Sequence, residues 1–292
     1  MDPCWFGNNL PWPHFPELKE ASELTQADLM DYDVVIFIGG VSNDPMAEYD
    51  PYTNYKGNLA DPVHLAHLTA KASNITGPKK FIYASSCSVY GYTDDAAMTE
   101  TDTCNVEFPY GVAKHISEMG IMYLESHTFK PIIMRKGTIG GWSPRMRFDL
   151  VVNAMFKAAM TGGNINVYDG SLWRPVIDNR DVAQAYMAAI EADIDVTGIF
   201  NIGHSNKRVG EIADEIASAV KKIANVDCTI TDHHKNDVRN YAAITHKAER
   251  VLGFNARYSI TETIAHLFEM IPKDMDYNDM KYYNIEVFKH LK

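Results

Sequence analysis

Hydrophobic positions along the chain come in short unbroken runs separated by longer amphipathic stretches. Asp33–Gly39 (DVVIFIG), Lys80–Ser85 (KFIYAS) and Pro131–Lys136 (PIIMRK) are such runs. The absence of alternation in the first and third predicts strands buried on both faces, and Gly198–Ile202 predicts a fourth, shorter one. Helical spacing covers Asp61–Lys71, which starts Asp-Pro, and Tyr110–Ser126. It also covers Asp149–Met160 and Asp181–Glu191, each with an Asp placed to cap its first turn. Val209–Ala224, Ala243–Leu252 and Ile260–Met270 follow, and a charged, Tyr-rich tail ends the chain. Residues 1–20, rich in Pro and aromatics, read as irregular. Strands alternating with helices predict an α/β fold, a parallel sheet covered on both sides.

Composition narrows this picture modestly. With 292 residues, one large α/β domain and a smaller C-terminal lobe fit the length. The formal net charge of −11 argues against nucleic acid or an anionic membrane as partner, while leaving room for a locally basic cleft. Cys4, Cys87, Cys104 and Cys228 form no CxxC pair and no metal-spaced cluster with His, so free thiols and no metal site are expected. The opening MDPCWFGNNLPWP lacks the basic and apolar regions of a signal peptide, which makes the cytoplasm the expected compartment.

Candidate chemistry gathers between Phe81 and Lys114. The aromatic-rich strand ends in Ser85 and Ser86, and Tyr110 and Lys114 follow one helical turn apart, on one face of the next helix. YxxxK by itself says little, because Tyr52/Lys56 and Tyr277/Lys281 satisfy it as well. Only Tyr110 opens a helix after a strand with paired serines; Tyr52 lies in a loop-like sequence and Tyr277 in the tail. A free phenol titrates near 10. A neighbouring Lys⁺ and the positive end of a helix both favour phenolate, so Tyr110 is expected to serve as acid/base, with Ser86 orienting the reacting hydroxyl.

These segments together resemble the extended short-chain dehydrogenase/reductase family, the NAD-dependent nucleotide-sugar epimerases and dehydratases. SSCSVYG (Ser85–Gly91), TETDT (Thr99–Thr103), PYGVAK (Pro109–Lys114), GSLWRPVIDNRDVAQA (Gly170–Ala185), GIFNIG (Gly198–Gly203) and DVRNYAAITHKAERVLGF (Asp237–Phe254) carry the likeness. The resemblance implies a Rossmann-like doubly wound sheet over residues 1–165 and a mainly substrate-binding lobe over 166–292, from which about 175–205 return to the sheet. It implies NAD as cofactor, a nucleotide sugar as substrate and a homodimer built on Asp61–Lys71 and Tyr110–Ser126. Ser86, Tyr110 and Lys114 would be catalytic. Asp2, Gly39, Gly40, Asn58 and Ser85 would join Tyr110 and Lys114 at the cofactor. Arg174 and Arg239 would face the diphosphate, where guanidinium matches phosphate geometry. SPRMRFDLVVN (Ser143–Asn153) resembles one epimerase-like branch and adds Arg145, Arg147 and Asn153 to the sugar pocket, beside Ser86.

The departures carry information too. Cys87 and Ser88 stand where dehydratases of the family have an Asp-Glu pair, so dehydration is not expected. Thr138 and Gly140 replace an asparagine and a tyrosine, and Gly39–Gly40 an alanine pair. None of the 18 glycines form GxxGxxG or GxGxxG, the turn on which a pyrophosphate rests. Met1–Leu10 resembles the family just after its second strand, which puts Asp2 at the position that holds the adenosine ribose and favours NAD over NADP. The sheet is therefore expected to lack its first strand. Val34–Ile38 would become an edge, covered by residues 1–30 or by a second subunit. Three readings stay open: an NAD-dependent nucleotide-sugar epimerase or epimerase/reductase, a non-catalytic relative that binds a nucleotide sugar or a protein, and a piece of a longer enzyme.

Overall fold

The computed structural model describes residues 20–234 and 239–291. Among the described residues, four parallel strands form the main sheet in the order Val34–Phe37, Lys79–Ser86, Phe129–Lys136, Gly198–Ile202. Alternate side chains of a strand serve opposite faces. Phe81, Tyr83 and Ile133 pack with Leu65, Ala66 and Ile121 from helices Asp61–Thr76 and Pro109–Met122. Ile82, Ile132 and Met134 pack with Val182, Ala185 and Ala189 from helix Asn179–Glu191. That two-sided burial is the doubly wound, Rossmann-like arrangement that the sequence predicts.

The first strand is the edge that the sequence predicts: among the described residues Val34–Phe37 is paired on one side only. Its burial is less than expected, with Ile36 and Ile38 38% and 67% exposed. Residues 20–30 do not pair with this edge. They form two short turns, Ala21–Glu23 and Ala27–Leu29, that tuck Leu24 and Leu29 into the core beside the strand. Residues 1–19 lie outside the description, Asp2 among them.

A second core gathers Met146, Phe148 and Phe156 with Ile212, Ile216, Ile264 and Leu267. Helices Val151–Gly162, Val209–Ala224 and Ile260–Met270 surround it. Three small sheets complete the lobe: Asn164–Val167 with Thr229–Asp232, Tyr92–Met98 with Asn240–Ala243, and Thr138–Gly140, Trp173–Asp178 and Ser205–Arg208 together. Their short polar strands carry no alternation long enough to read from sequence.

Several local expectations are corrected. Ala243–Leu252 divides into the strand Asn240–Ala243 and the helix His246–Leu252. Asp149 does not cap its helix but accepts from Arg147, and Leu150 holds the cap position. Asp178, not Asp181, caps the next helix by accepting from the Arg180 amide. Asp181 is buried and receives the Arg257 and Tyr258 amides instead. Tyr52 is helical, in Pro51–Tyr55, which runs through a π-helical turn, Lys56–Ala60, into Asp61–Thr76. The tail forms the helix Asn284–His290, and its Phe288 packs on Val41, Met46 and Ala47.

Candidate active site

A cleft of about 990 Å³ opens at the C-terminal ends of the main strands, between the sheet and the second lobe. That is where open parallel sheets bind ligands, and its size suits a nucleotide-sized molecule. Gly39, Gly40, Ser85, Ser86, Tyr110, Lys114, Arg147, Arg174 and Arg239 all line it.

Ser86 is the last residue of its strand. Its hydroxyl accepts from the Ser88 amide at 3.2 Å and donates to the Ser88 hydroxyl at 3.0 Å, and Ser88 in turn meets the Tyr241 hydroxyl at 3.3 Å. Helix Pro109–Met122 approaches this loop closely because Gly111 has no side chain; a Cβ there would stand 3.0 Å from the Ser88 carbonyl. Asn54 fixes the same helix start by donating to the Pro109 carbonyl at 2.9 Å. Tyr110 thus lies in the first turn, its ring against Val41, Met46 and Ala47.

Lys114 is 3% exposed. Its ammonium donates to the Ala84 carbonyl at 2.9 Å and sits 4.8 Å from the Tyr83 ring centroid and 5.8 Å from that of Tyr110. Burial, with Lys136 nearby, pushes this amine down to about 7 against the pull of Glu118. The phenol of Tyr110 moves the opposite way from the sequence expectation. Burial raises it above its ordinary value, the Ser86 hydrogen bond lowers it, Asp44 and Tyr241 raise it further, and Arg147 lowers it. Lys114 does not hold the phenol down because its own charge is weakened by burial and is directed at the Ala84 carbonyl.

Other expected contacts turn out to support the cleft. The Ser85 hydroxyl is directed at Glu118, so Ser85 offers the cleft its backbone. Asn58 is buried and donates to the Val41 carbonyl at 2.9 Å and to Asn54 at 2.8 Å. It stands behind the loop because Gly40, at φ +103°, lets the backbone close on it; a Cβ there would lie 2.2 Å from the Asn58 oxygen. Asn153 clamps Gly141, accepting from its amide and donating to its carbonyl, and also donates to the Arg147 carbonyl. Arg145 reaches away from the cleft to the Lys281 carbonyl at 2.9 Å, in the C-terminal segment.

Three arginines remain at the cleft. Arg147 pairs with Asp149 at 2.8 Å and Arg239 with Asp44 at 3.2 Å. Arg174 donates to the Trp173 and Arg239 carbonyls and lies 5.3 Å from the Tyr241 ring. Lys136, Asp44, Ser88 and Tyr241 line the same space and were not singled out from sequence. A charge at the end of an otherwise apolar run, PIIMRK, was the available signal for Lys136. Arg135 and Glu118 behind the wall were signalled the same way, as charges on inward positions that demand a partner.

Comparison with known proteins follows these lines. Residues 13–203 match the model of the NAD dependent epimerase/dehydratase family. The chain is 27% identical over 255 residues to a probable UDP-arabinose 4-epimerase of Arabidopsis thaliana, a match over 79% of this chain and 59% of the relative's length. It is 24% identical over 252 residues to a UDP-glucose 4-epimerase of Rhizobium meliloti, covering 80% and 73%. Among solved structures, a UDP-glucuronic acid 4-epimerase of Bacillus cereus in complex with NAD superposes with a TM-score of 0.72 at 21% identity, covering 88% of this chain and 79% of that one. MoeE5 in complex with UDP-glucuronic acid and NAD gives 0.73 at 24%, covering 86% and 83%. At these identities the structural matches establish the fold.

Proposed function

Because the chain belongs to the NAD dependent epimerase/dehydratase family, we propose that it is an epimerase, or epimerase/reductase, of a nucleotide sugar. The observation that carries this reading is the convergence of Ser86, Tyr110 and Lys114 on one wall of a cleft that also holds Arg174 and Arg239. The diphosphate lies toward the two arginines and the sugar toward Ser86 and Tyr110. Ser86 orients the reacting hydroxyl. Tyr110 Oη takes its proton and later returns it, while Lys114 contacts the cofactor ribose. NAD, when bound, supplies the hydride acceptor and donor.

The residues fit that cofactor at its reactive end. Lys114 has one hydrogen-bond acceptor, the Ala84 carbonyl, and an ammonium has three donors, which leaves two for a ribose diol. Gly39 and Gly40 leave backbone free to approach a ligand. For the pyrophosphate, the described residues offer no glycine-rich turn. The second reading is a nucleotide-sugar-binding protein without turnover. Calorimetry separates the two. Stoichiometric NAD binding by the purified protein, with interconversion of a UDP-sugar, supports the enzyme; UDP-sugar binding without NAD binding refutes it.

The homodimer belongs to the same proposal. Ile116, Met119 and Tyr123 stand on one exposed face of the Tyr110 helix and its end. An apolar stripe at this spacing suits a helix-to-helix contact between two copies. Met119→Glu, a charge at the centre of the stripe, is expected to halve the mass seen by light scattering at micromolar concentration, whereas an unchanged mass would place the interface elsewhere.

A further inference from the structure

Lys136 ends the strand Phe129–Lys136 and stands level with Ser86 in the sheet register. Paired positions on neighbouring strands project to the same face. The half-buried Lys136 side chain therefore leaves the sheet beside Ser86, and it lines the cleft. Its amine donates to the Tyr186 hydroxyl at 3.2 Å and lies 5.6 Å from that ring centroid. Among the described residues it has no carboxylate partner.

The second amine of this wall, Lys114, holds only the Ala84 carbonyl. Glu118, the carboxylate that acts on it from behind, is taken by the Arg135 guanidinium through both oxygens. The cleft's own carboxylates are engaged or remote: Asp44 with Arg239, Asp149 with Arg147, and Glu48 exposed at the rim. Two amines thus face the reactive end without an anion. An inward charge lacking a partner is costly, and burial pushes Lys136 down to about 8 and Lys114 to about 7 accordingly. A ligand anion placed there would restore both charges. Arg174 and Arg239, which line the same cleft, are the cations left for the diphosphate.

Resting on the reading that the sugar lies against Ser86 and Tyr110, we propose that Lys136 determines specificity by donating to a carboxylate carried by the sugar. The preferred substrate class is then a nucleotide sugar of the uronate type.

Calorimetric titration of the 292-residue chain with UDP-glucuronic acid, UDP-glucose and UDP tests this. Wild type is expected to prefer the acidic sugar about tenfold, as one charge-assisted hydrogen bond supplies. Lys136→Met should bring that ratio close to one, Lys136→Arg should keep most of it, and the affinity for UDP should be the same in all three. Circular dichroism shows whether each variant is folded. Equal affinities in wild type, or a preference that survives in Lys136→Met, overturn the proposal. So does a loss of UDP affinity in Lys136→Met, which would assign the lysine to the diphosphate. If folded wild type binds none of the three ligands, the nucleotide-sugar reading of the cleft itself falls.

Discussion

Tyr110→Phe is expected to lower kcat about a thousandfold, in the middle of the range for a lost general acid/base, with KM changed only a few-fold. The ring would stay packed on Val41, Met46 and Ala47, because that contact does not use the hydroxyl. The hydroxyl lost is the one that faces Ser86. Melting of the variant should therefore match wild type closely. Because burial holds this phenol above its ordinary value, the basic form grows as pH rises, and wild-type turnover should climb from neutral into alkaline solution. Steady-state kinetics on both proteins with a UDP-sugar and NAD check all three points. A Phe variant within tenfold of wild type would remove Tyr110 from the chemistry and leave the cleft as a binding site.

The second large effect concerns stability. Arg135 meets Glu118 through Nε and Nη2, the latter at 2.7 Å, and donates from Nη1 to the Tyr90 hydroxyl at 3.0 Å. Tyr90 continues to Asn201 at 2.7 Å and to the Thr99 carbonyl at 3.1 Å. Both charges are buried. Arg135→Met leaves Glu118 without its counter-charge, and breaking such a pair costs about 3–5 kcal/mol. For a chain of this size that is roughly 10 °C in melting temperature.

The pH dependence has a definite sign. Burial works to raise the Glu118 carboxyl, but the nearby His115, hydrogen bonds from Arg135 and Ser85 and the Arg135 charge outweigh it, holding the group below its ordinary 4.5. A carboxyl depressed by folding contributes stability that is present above the unfolded value and is lost as pH falls through the folded one. Wild type should thus weaken below about pH 4.5. In Arg135→Met the unpaired carboxyl titrates high, so the gap between the two proteins is widest at pH 7 and narrows by pH 4. Urea midpoints at both values measure it, and a gap independent of pH would show that packing, not charge, holds the pair.

Much of this site was legible in the sequence. Ser86, Tyr110 and Lys114 could be read because strand end, helix start and spacing agree, whereas the order of the main strands could not, because alternation of apolar runs with helices gives the elements and not their neighbours. The edge position of Val34–Phe37 follows from the missing glycine-rich turn, but the exposure of Ile36 and Ile38 does not, because an apolar run does not say what covers each face. Asn58, Asn153 and Arg145 do not line the cleft but bond to backbone around it. A polar side chain near a binding loop can point into the cleft or hold the loop from behind, and spacing does not separate the two. Lys136 and Glu118 carry a weak sequence signal, a charge at an inward position, whose partner is known only once the facing strand or helix is. The small polar sheets of the second lobe owe their pairing to contacts distant in sequence, such as Tyr92 with Asn240.

The uneven flanks of the Ser86 strand set how firmly its tip is held. All eight residues of Lys79–Ser86 have partners in Phe129–Lys136, but the edge strand reaches only Lys80–Tyr83. Ala84, Ser85 and Ser86 are therefore anchored from one side. The carbonyl that receives Lys114 belongs to the first residue past the end of the edge ladder. Fraying of the short outer strand, a low-energy local opening, would reach this carbonyl before it disturbed the helix that carries Tyr110. Preorganisation of the lysine is thereby tied to the least secured ladder of the main sheet, and any ligand that bridges Lys114 to the rest of the cleft would also rigidify that edge.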